Sequence, residues 1–217
     1  MLKAVLFDMD GVIVDTEPEY VRINMQLIRQ FGLPVTIAEQ KQYRGMSSAA
    51  MWRDLAGKKP EAAFDIDTLV RLEHEHMRAH YYAGAIKVIR PAVRLLKRCA
   101  KAGLKVAIAT SSPMAYAESV VTRLGLGPYV QAVSTADLAG QSKPEPGIFL
   151  LAAKLLSVAP EECVVIEDAQ MGVMAAKAAG MKAVGVSGSS GQDLSLADVV
   201  VRSLRGVKVE ALRGLNP

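Results

Sequence analysis

The chain has 217 residues, 51% of them hydrophobic and 5% aromatic, with a formal net charge of +4. That length fits one large domain, or a core carrying an insertion, and the aliphatic content is ample for a buried core. The charge excess is mild and no long basic run occurs, so nucleic-acid binding is not expected, whereas an anionic small substrate is compatible with it.

Cys99 and Cys163 lie far apart and form neither a disulfide framework nor a C-x-x-C metal pair, which suits a reducing cytoplasm. The apolar run after Lys3 is too short for a signal peptide and is broken by Asp8. No stretch reaches the roughly 18 apolar residues of a membrane span. A cytoplasmic protein with no membrane partner is expected, and a monomer.

Ala4 to Phe7 is a continuous apolar run of the kind buried on both faces of a parallel sheet. Asp15-Thr16-Glu17-Pro18 then starts a helix, with Thr16 as cap and Pro18 in the first turn. Val21, Asn24, Leu27, Ile28 and Phe31 continue it at helical spacing, and Gly32 ends it. From there to about Ile89 the pattern is helical and more polar. Met51, Trp52 and Leu55 mark one helix, and Thr68 to about Tyr82 marks another, with Gly45, Gly57 and Gly84 between segments.

The character changes after Arg90. Pro91 opens a helix that Gly103 closes, and Leu104–Ala109 reads as a strand ending at Thr110-Ser111-Ser112. Pro113 opens the next helix, which stops near Gly125. Ala132-Val133-Ser134 is a weak strand, Pro146 to Leu156 a helix, and Cys163–Ile166 a strong strand ending at Glu167-Asp168. Met171 to Ala179 is helical, Ala183–Val186 a strand, and Asp198–Val201 an edge strand before a last short helix. The alternation predicts a doubly wound parallel α/β sheet, Rossmann-like, with right-handed crossovers. Residues 1–15 and 90–217 form this core, and residues 16–89 are an inserted all-helical cap.

Each strong strand ends in polar chemistry. Taken singly, each cluster has an ordinary reading. Asp8 and Asp10 with Gly11 fit an Asx-type turn, Thr110 to Ser112 a helix cap, Lys143-Pro144 a surface turn, and Glu167-Asp168 a solvated strand end. In a parallel sheet, however, all four converge on the rim where ligands bind. Asp8 and Asp10 then crowd two like charges into one crevice, which a hard cation such as Mg²⁺ relieves through oxygen ligands. Lys143 supplies a compact positive charge. Thr110 and the Ser111 N–H lie at a helix N-terminus, a natural anion site. Phosphoryl transfer needs such a set. One carboxylate attacks phosphorus, another moves the proton, and cations and donors neutralise the equatorial oxygens.

Asp8-Met9-Asp10-Gly11-Val12, Thr110-Ser111, Ser142-Lys143-Pro144-Glu145-Pro146 and Ile166-Glu167-Asp168-Ala169 resemble, in order and spacing, the four motifs of the haloacid dehalogenase superfamily. Gly172-Val173, Ala175-Ala176 and Ala179-Gly180-Met181 are also similar to it. The resemblance covers nearly the whole chain. It implies a Rossmann-like core with a helical cap after the first motif, and a Mg²⁺-dependent enzyme. It further implies Asp8 as nucleophile and metal ligand. Asp10 is then the acid/base, offering its backbone carbonyl to the metal. By the same resemblance Thr110, the Ser111 backbone and Lys143 bind the phosphate, Asp168 ligates the metal, and Glu167 is a nearby ligand. An Asp at position 10 favours phosphate chemistry over dehalogenation.

Within the superfamily the chain resembles the β-phosphoglucomutase and sugar-phosphatase branch. The Asp15–Pro18 segment is similar to the phosphatase members. The mutases carry a cap histidine where this chain has Tyr20, and an arginine after a Gly-x-Ser step where it has Ser48. The expected function is therefore hydrolysis of a small phosphorylated metabolite, a sugar phosphate, with Glu17 and Arg44 as substrate contacts. A β-phosphoglucomutase-like mutase is the alternative, with Arg44 substituting for the missing cation. A third reading is a non-enzymatic phospho-aspartate switch, which receiver domains much shorter than this chain perform. His74, His76 and His80 lie on one predicted cap helix, and their spacing reads as a polar helix face. Gly185, Gly188 and Gly191 read as a loop rather than a dinucleotide fingerprint.

Overall fold

The computed structural model describes residues 1–43, 48–83, 86–188 and 191–215. In chain order the first elements are β1 (Ala4–Phe7), α1 (Glu17–Gln30), α2 (Ile37–Gln40), α3 (Ser48–Gly57), α4 (Ile66–Ala83) and α5 (Arg90–Lys101). Then come β2 (Lys105–Thr110), α6 (Met114–Arg123), β3 (Ala132–Thr135), α7 (Ala136–Ala139) and α8 (Gly147–Leu156). β4 (Cys163–Glu167), α9 (Gln170–Ala178), β5 (Lys182–Val186), β6 (Val199–Val201) and α10 (Val209–Gly214) complete the chain. The short helices α2 and α7 had no sequence expectation, because four-residue turns carry too little periodicity to register.

The chain divides into two compact units, Met1–Asp15 with Ile86–Pro217, and Thr16–Ala85. The first unit is an α/β sandwich around a six-stranded sheet ordered β3-β2-β1-β4-β5-β6. Every pairing is parallel. β1 lies between β2 and β4, with Leu6 opposite both Ala107 and Val165. The chain winds outward from β1 to β3, then returns to the other side of β1 to lay down β4. The gap between β1 and β4 is thus the switch point, where the two windings diverge and a crevice opens at the strand tips.

Both sheet faces are covered, which is why β1 and β4 read as unbroken apolar runs. Leu6, Ala107, Val165 and Ala183 form one cluster with Ile148, Phe149 and Ala152 of α8 and Val173 and Ala176 of α9. The alternate residues Val5, Phe7, Val106 and Ile108 are equally buried on the opposite face. Each fully buried Val, Leu, Ile or Phe among them contributes about 1.5–3 kcal/mol when removed from water. β6 is an edge strand, with Val199 and Val200 exposed. Asp198 ties it down, accepting from Lys177 Nζ (2.7 Å), Lys182 Nζ (3.0 Å) and the Ala183 N–H (2.8 Å).

Every secondary-structure element among the described residues of the second unit is a helix. Pro18 stands in the first turn of α1, where its missing N–H costs nothing, and Glu17 and Glu19 lie at the positive end of the helix dipole. α3 and α4 pack together. Between them the fully buried Trp52 donates its indole N–H to the buried Glu73 carboxylate at 2.8 Å. Arg44, Gly45, Met46 and Gly84 lie outside the described residues, as does the His80 side chain.

Candidate active site

The first unit is built so that polar tips meet. The β1–β4 ladder runs one residue past β1, as the Asp8 N–H donates to Ile166 O at 2.9 Å. Asp8 therefore inherits the rigidity of the central strand. The chain then turns sharply. Met9 O accepts from Ile13 and Val14, and the Gly11 N–H donates to Val14 O at 2.7 Å. Gly11 has φ +82°, and a Cβ there would overlap the Asp168 carboxylate, so only glycine serves both turn and site.

Asp8 is 6% exposed and Glu167 1% exposed. Lys143 Nζ donates to Asp8 Oδ1 at 2.5 Å, to Glu167 Oε1 at 2.7 Å and to Ala109 O at 3.3 Å, and stands 5.0 Å from the Phe149 ring centre. One ammonium thus bridges two buried carboxylates from neighbouring strands. Burial pushes the Asp8 carboxyl well above its ordinary range; Lys143 opposes this, and the Glu167, Asp168 and Asp10 charges reinforce it. Burial pulls the Lys143 ammonium down, but Asp8 and Glu167 outweigh it and the net shift is upward.

Oxygens of Asp8, Glu167 and Asp168 lie within 4.8 Å of one another. Three carboxylates at that spacing are a hard donor set suited to Mg²⁺, and they repel one another without a cation. Glu167 is the last residue of β4 and wholly buried, so it is no solvated strand end. It accepts from the Ala169 N–H at 2.8 Å. A Cβ on Gly172, in the first turn of α9, would overlap its carboxylate.

Thr110 closes β2 and is 1% exposed, so the strand runs one residue past the expected end. Its hydroxyl reaches Asp10 Oδ2 at 3.4 Å, and the Ser112 hydroxyl reaches the same oxygen at 2.7 Å. Ser111 follows on the exposed rim before α6. Lys143 thus joins Asp8 to Glu167 and reaches the Ala109 carbonyl, Thr110 and Ser112 hold Asp10, and Asp168 closes the acidic cluster. Glu17 opens α1 in the other unit, and Arg44 lies outside the described residues. Sequence reasoning gave no separate role to Ser112, Gly172 or the Ala109 carbonyl. The signals available were that Ser112 belongs to the polar run closing β2 and that Gly172 lies in the stretch similar to the superfamily.

A model of the haloacid dehalogenase-like hydrolases matches residues 2–180. The chain belongs to that family. Among its relatives is fructose-1-phosphate phosphatase YqaB of Escherichia coli (strain K12). It is 35% identical over 183 residues, 83% of this chain and 94% of the relative. Protein SUPPRESSOR OF QUENCHING 1, chloroplastic, of Arabidopsis thaliana is 35% identical over 187 residues, but there the chain spans only 18% of the relative's length. The solved structure of β-phosphoglucomutase from Clostridium difficile matches with a TM-score of 0.79 and 25% identity, over 100% of this chain and 97% of that one. Family membership and the phosphatase relatives make this chain a phosphatase.

Proposed function

We propose that this phosphatase hydrolyses a small phosphorylated carbohydrate in the cytoplasm, through an aspartyl-phosphate on Asp8. The observation that carries the proposal is the meeting of Asp8, Lys143, Glu167 and Asp168 at the β1/β4 switch point. Asp8 attacks phosphorus in line with the leaving oxygen. Asp10 gives that oxygen a proton, then takes one from the water that cleaves the acyl phosphate. Lys143, Thr110 and the Ser111 N–H bind the phosphoryl oxygens. Asp8, Glu167, Asp168 and the Asp10 backbone carbonyl are the groups that would hold Mg²⁺. When bound, that ion screens the repulsion between the carboxylate and the incoming phosphate. Residues 16–89 serve as the cap, with Glu17 and Arg44 as its substrate contacts.

Phosphate release from a panel of sugar and polyol phosphates tests this. Turnover with Mg²⁺ is expected, together with its loss by at least about a thousandfold in Asp8→Asn. Full activity in Asp8→Asn would overturn the proposal. A mutase reading draws support from the β-phosphoglucomutase of Bacillus subtilis, 31% identical over 218 residues. It requires glucose 6-phosphate to form from β-glucose 1-phosphate, faster with a sugar bisphosphate present. Tyr20, at the position of the mutase histidine, speaks for hydrolysis.

A further inference from the structure

Asp10 sits on a turn rather than in a strand, so its backbone alone leaves the carboxyl able to rotate. The tip of β2 restrains it. Ser112 is 9% exposed, and its hydroxyl donates to Asp10 Oδ2 at 2.7 Å, across 102 positions of sequence. The Ser112 N–H donates to Thr110 Oγ1 at 3.0 Å, and that hydroxyl reaches the same Asp10 oxygen. The two hydroxyl residues therefore brace each other and pin one oxygen of Asp10 to the strand beside β1. A serine placed just before a helix ordinarily turns its hydroxyl back onto that helix's first N–H groups. Here α6 begins without a side-chain cap, and Ser112 points to Asp10 instead.

We propose that Ser112 is a positioning residue for Asp10: it holds the carboxyl in the orientation from which the proton is passed. This rests on the reading of Asp10 as the acid/base. In the first half-reaction the Asp8–phosphorus bond forms, the bond to the leaving oxygen breaks, and that oxygen takes the Asp10 proton. In the second, water oxygen bonds to phosphorus, its proton goes to Asp10, and Asp8 leaves as carboxylate. An alkyl leaving group needs that proton, whereas p-nitrophenolate does not. The Ser112 hydroxyl therefore counts in both halves for a sugar phosphate, but only in the second for p-nitrophenyl phosphate.

The test is stopped-flow and steady-state kinetics of Ser112→Ala with p-nitrophenyl phosphate and with the alkyl phosphate that the panel shows to be turned over. With the alkyl phosphate, kcat falls about ten- to a hundredfold while KM moves little. With p-nitrophenyl phosphate the first turnover stays fast, hydrolysis slows, and a burst of p-nitrophenolate appears. Ser112→Thr restores both rates. Ser112→Cys, close in size but a weak donor, reproduces the alanine pattern should the smaller side chain disturb folding. In an Asp10→Asn background Ser112→Ala adds no further loss. Equal losses on both substrates without a burst, or a full additional loss in the double variant, would overturn the role. If Asp10→Asn stays active, the reading of Asp10 falls and this role with it. If Asp10→Asn is inactive while Ser112→Ala matches the unmodified protein, this role alone falls.

Discussion

Gly172 shows how a residue with no functional group can shape a charged site. Glu167 comes straight off β4 into the first turn of α9, and its carboxylate fills the space a side chain on Gly172 would occupy. Gly172→Ala therefore displaces a wholly buried carboxylate that Lys143 and the Ala169 N–H hold in place. We expect a loss of about 1–3 kcal/mol in stability from overpacking. Mg²⁺ should bind about 10–100-fold more weakly, as when the support of a metal ligand is disturbed. Gly57→Ala is the control, since nothing lies within 4 Å of its Cβ position. Denaturant melts and Mg²⁺-activation curves of the two variants check this, and equal behaviour would refute it.

At the scale of elements, the β6 edge of the sheet is held by charge as well as by its ladder to β5. β6 has only three residues and two of them are exposed, so apolar burial alone holds it weakly. Asp198 supplies the missing restraint through two lysines and a backbone N–H. Although partial burial works against it, these hydrogen bonds and the Lys177 charge bring its pKa down to about 2. A carboxylate depressed in the folded state stabilises the fold at pH values above its unfolded pKa near 3.9. That contribution fades as pH falls through about 2. Asp198→Asn should cost about 1–2 kcal/mol at neutral pH after allowing for the exposed lysines, and the difference should shrink toward nothing near pH 2. Urea melts of both proteins across that range measure it; a gap that stays constant with pH would show the link to be uncharged.

At the scale of the whole molecule, a folded chain that gathers Asp8, Glu167 and Asp168 gives up stability that a cation can return. Lys143 offsets part of the repulsion, since it contacts two of the three. A ligand that binds only the folded state stabilises it by mass action, about 2.7 kcal/mol at a hundred times its Kd. Mg²⁺ at that level should raise Tm by roughly 5–10 °C in a chain of this size. Chelation should remove both the rise and the activity. Asp168→Asn should blunt the rise by weakening the site. The same rise in Asp168→Asn, followed by differential scanning fluorimetry, would place the cation elsewhere.

The chain's own order of residues determined the α/β class and where the strands lie. Apolar runs such as Ala4–Phe7 and Cys163–Ile166 are local signals, and burial on both faces leaves them unmistakable. It also determined that the strong strands end in polar residues, at Asp8, Thr110 and Glu167, a local change of character legible in sequence although the fold then buries all three. The order β3-β2-β1-β4-β5-β6 was decided only by tertiary pairing, since periodicity says nothing about which strand neighbours which. With that order came the switch point, the ammonium shared by Asp8 and Glu167, and the hand of Ser112 on Asp10. Those contacts join residues 24 to 135 positions apart, and a hydrogen bond a few ångströms long leaves no imprint on a sequence at that distance.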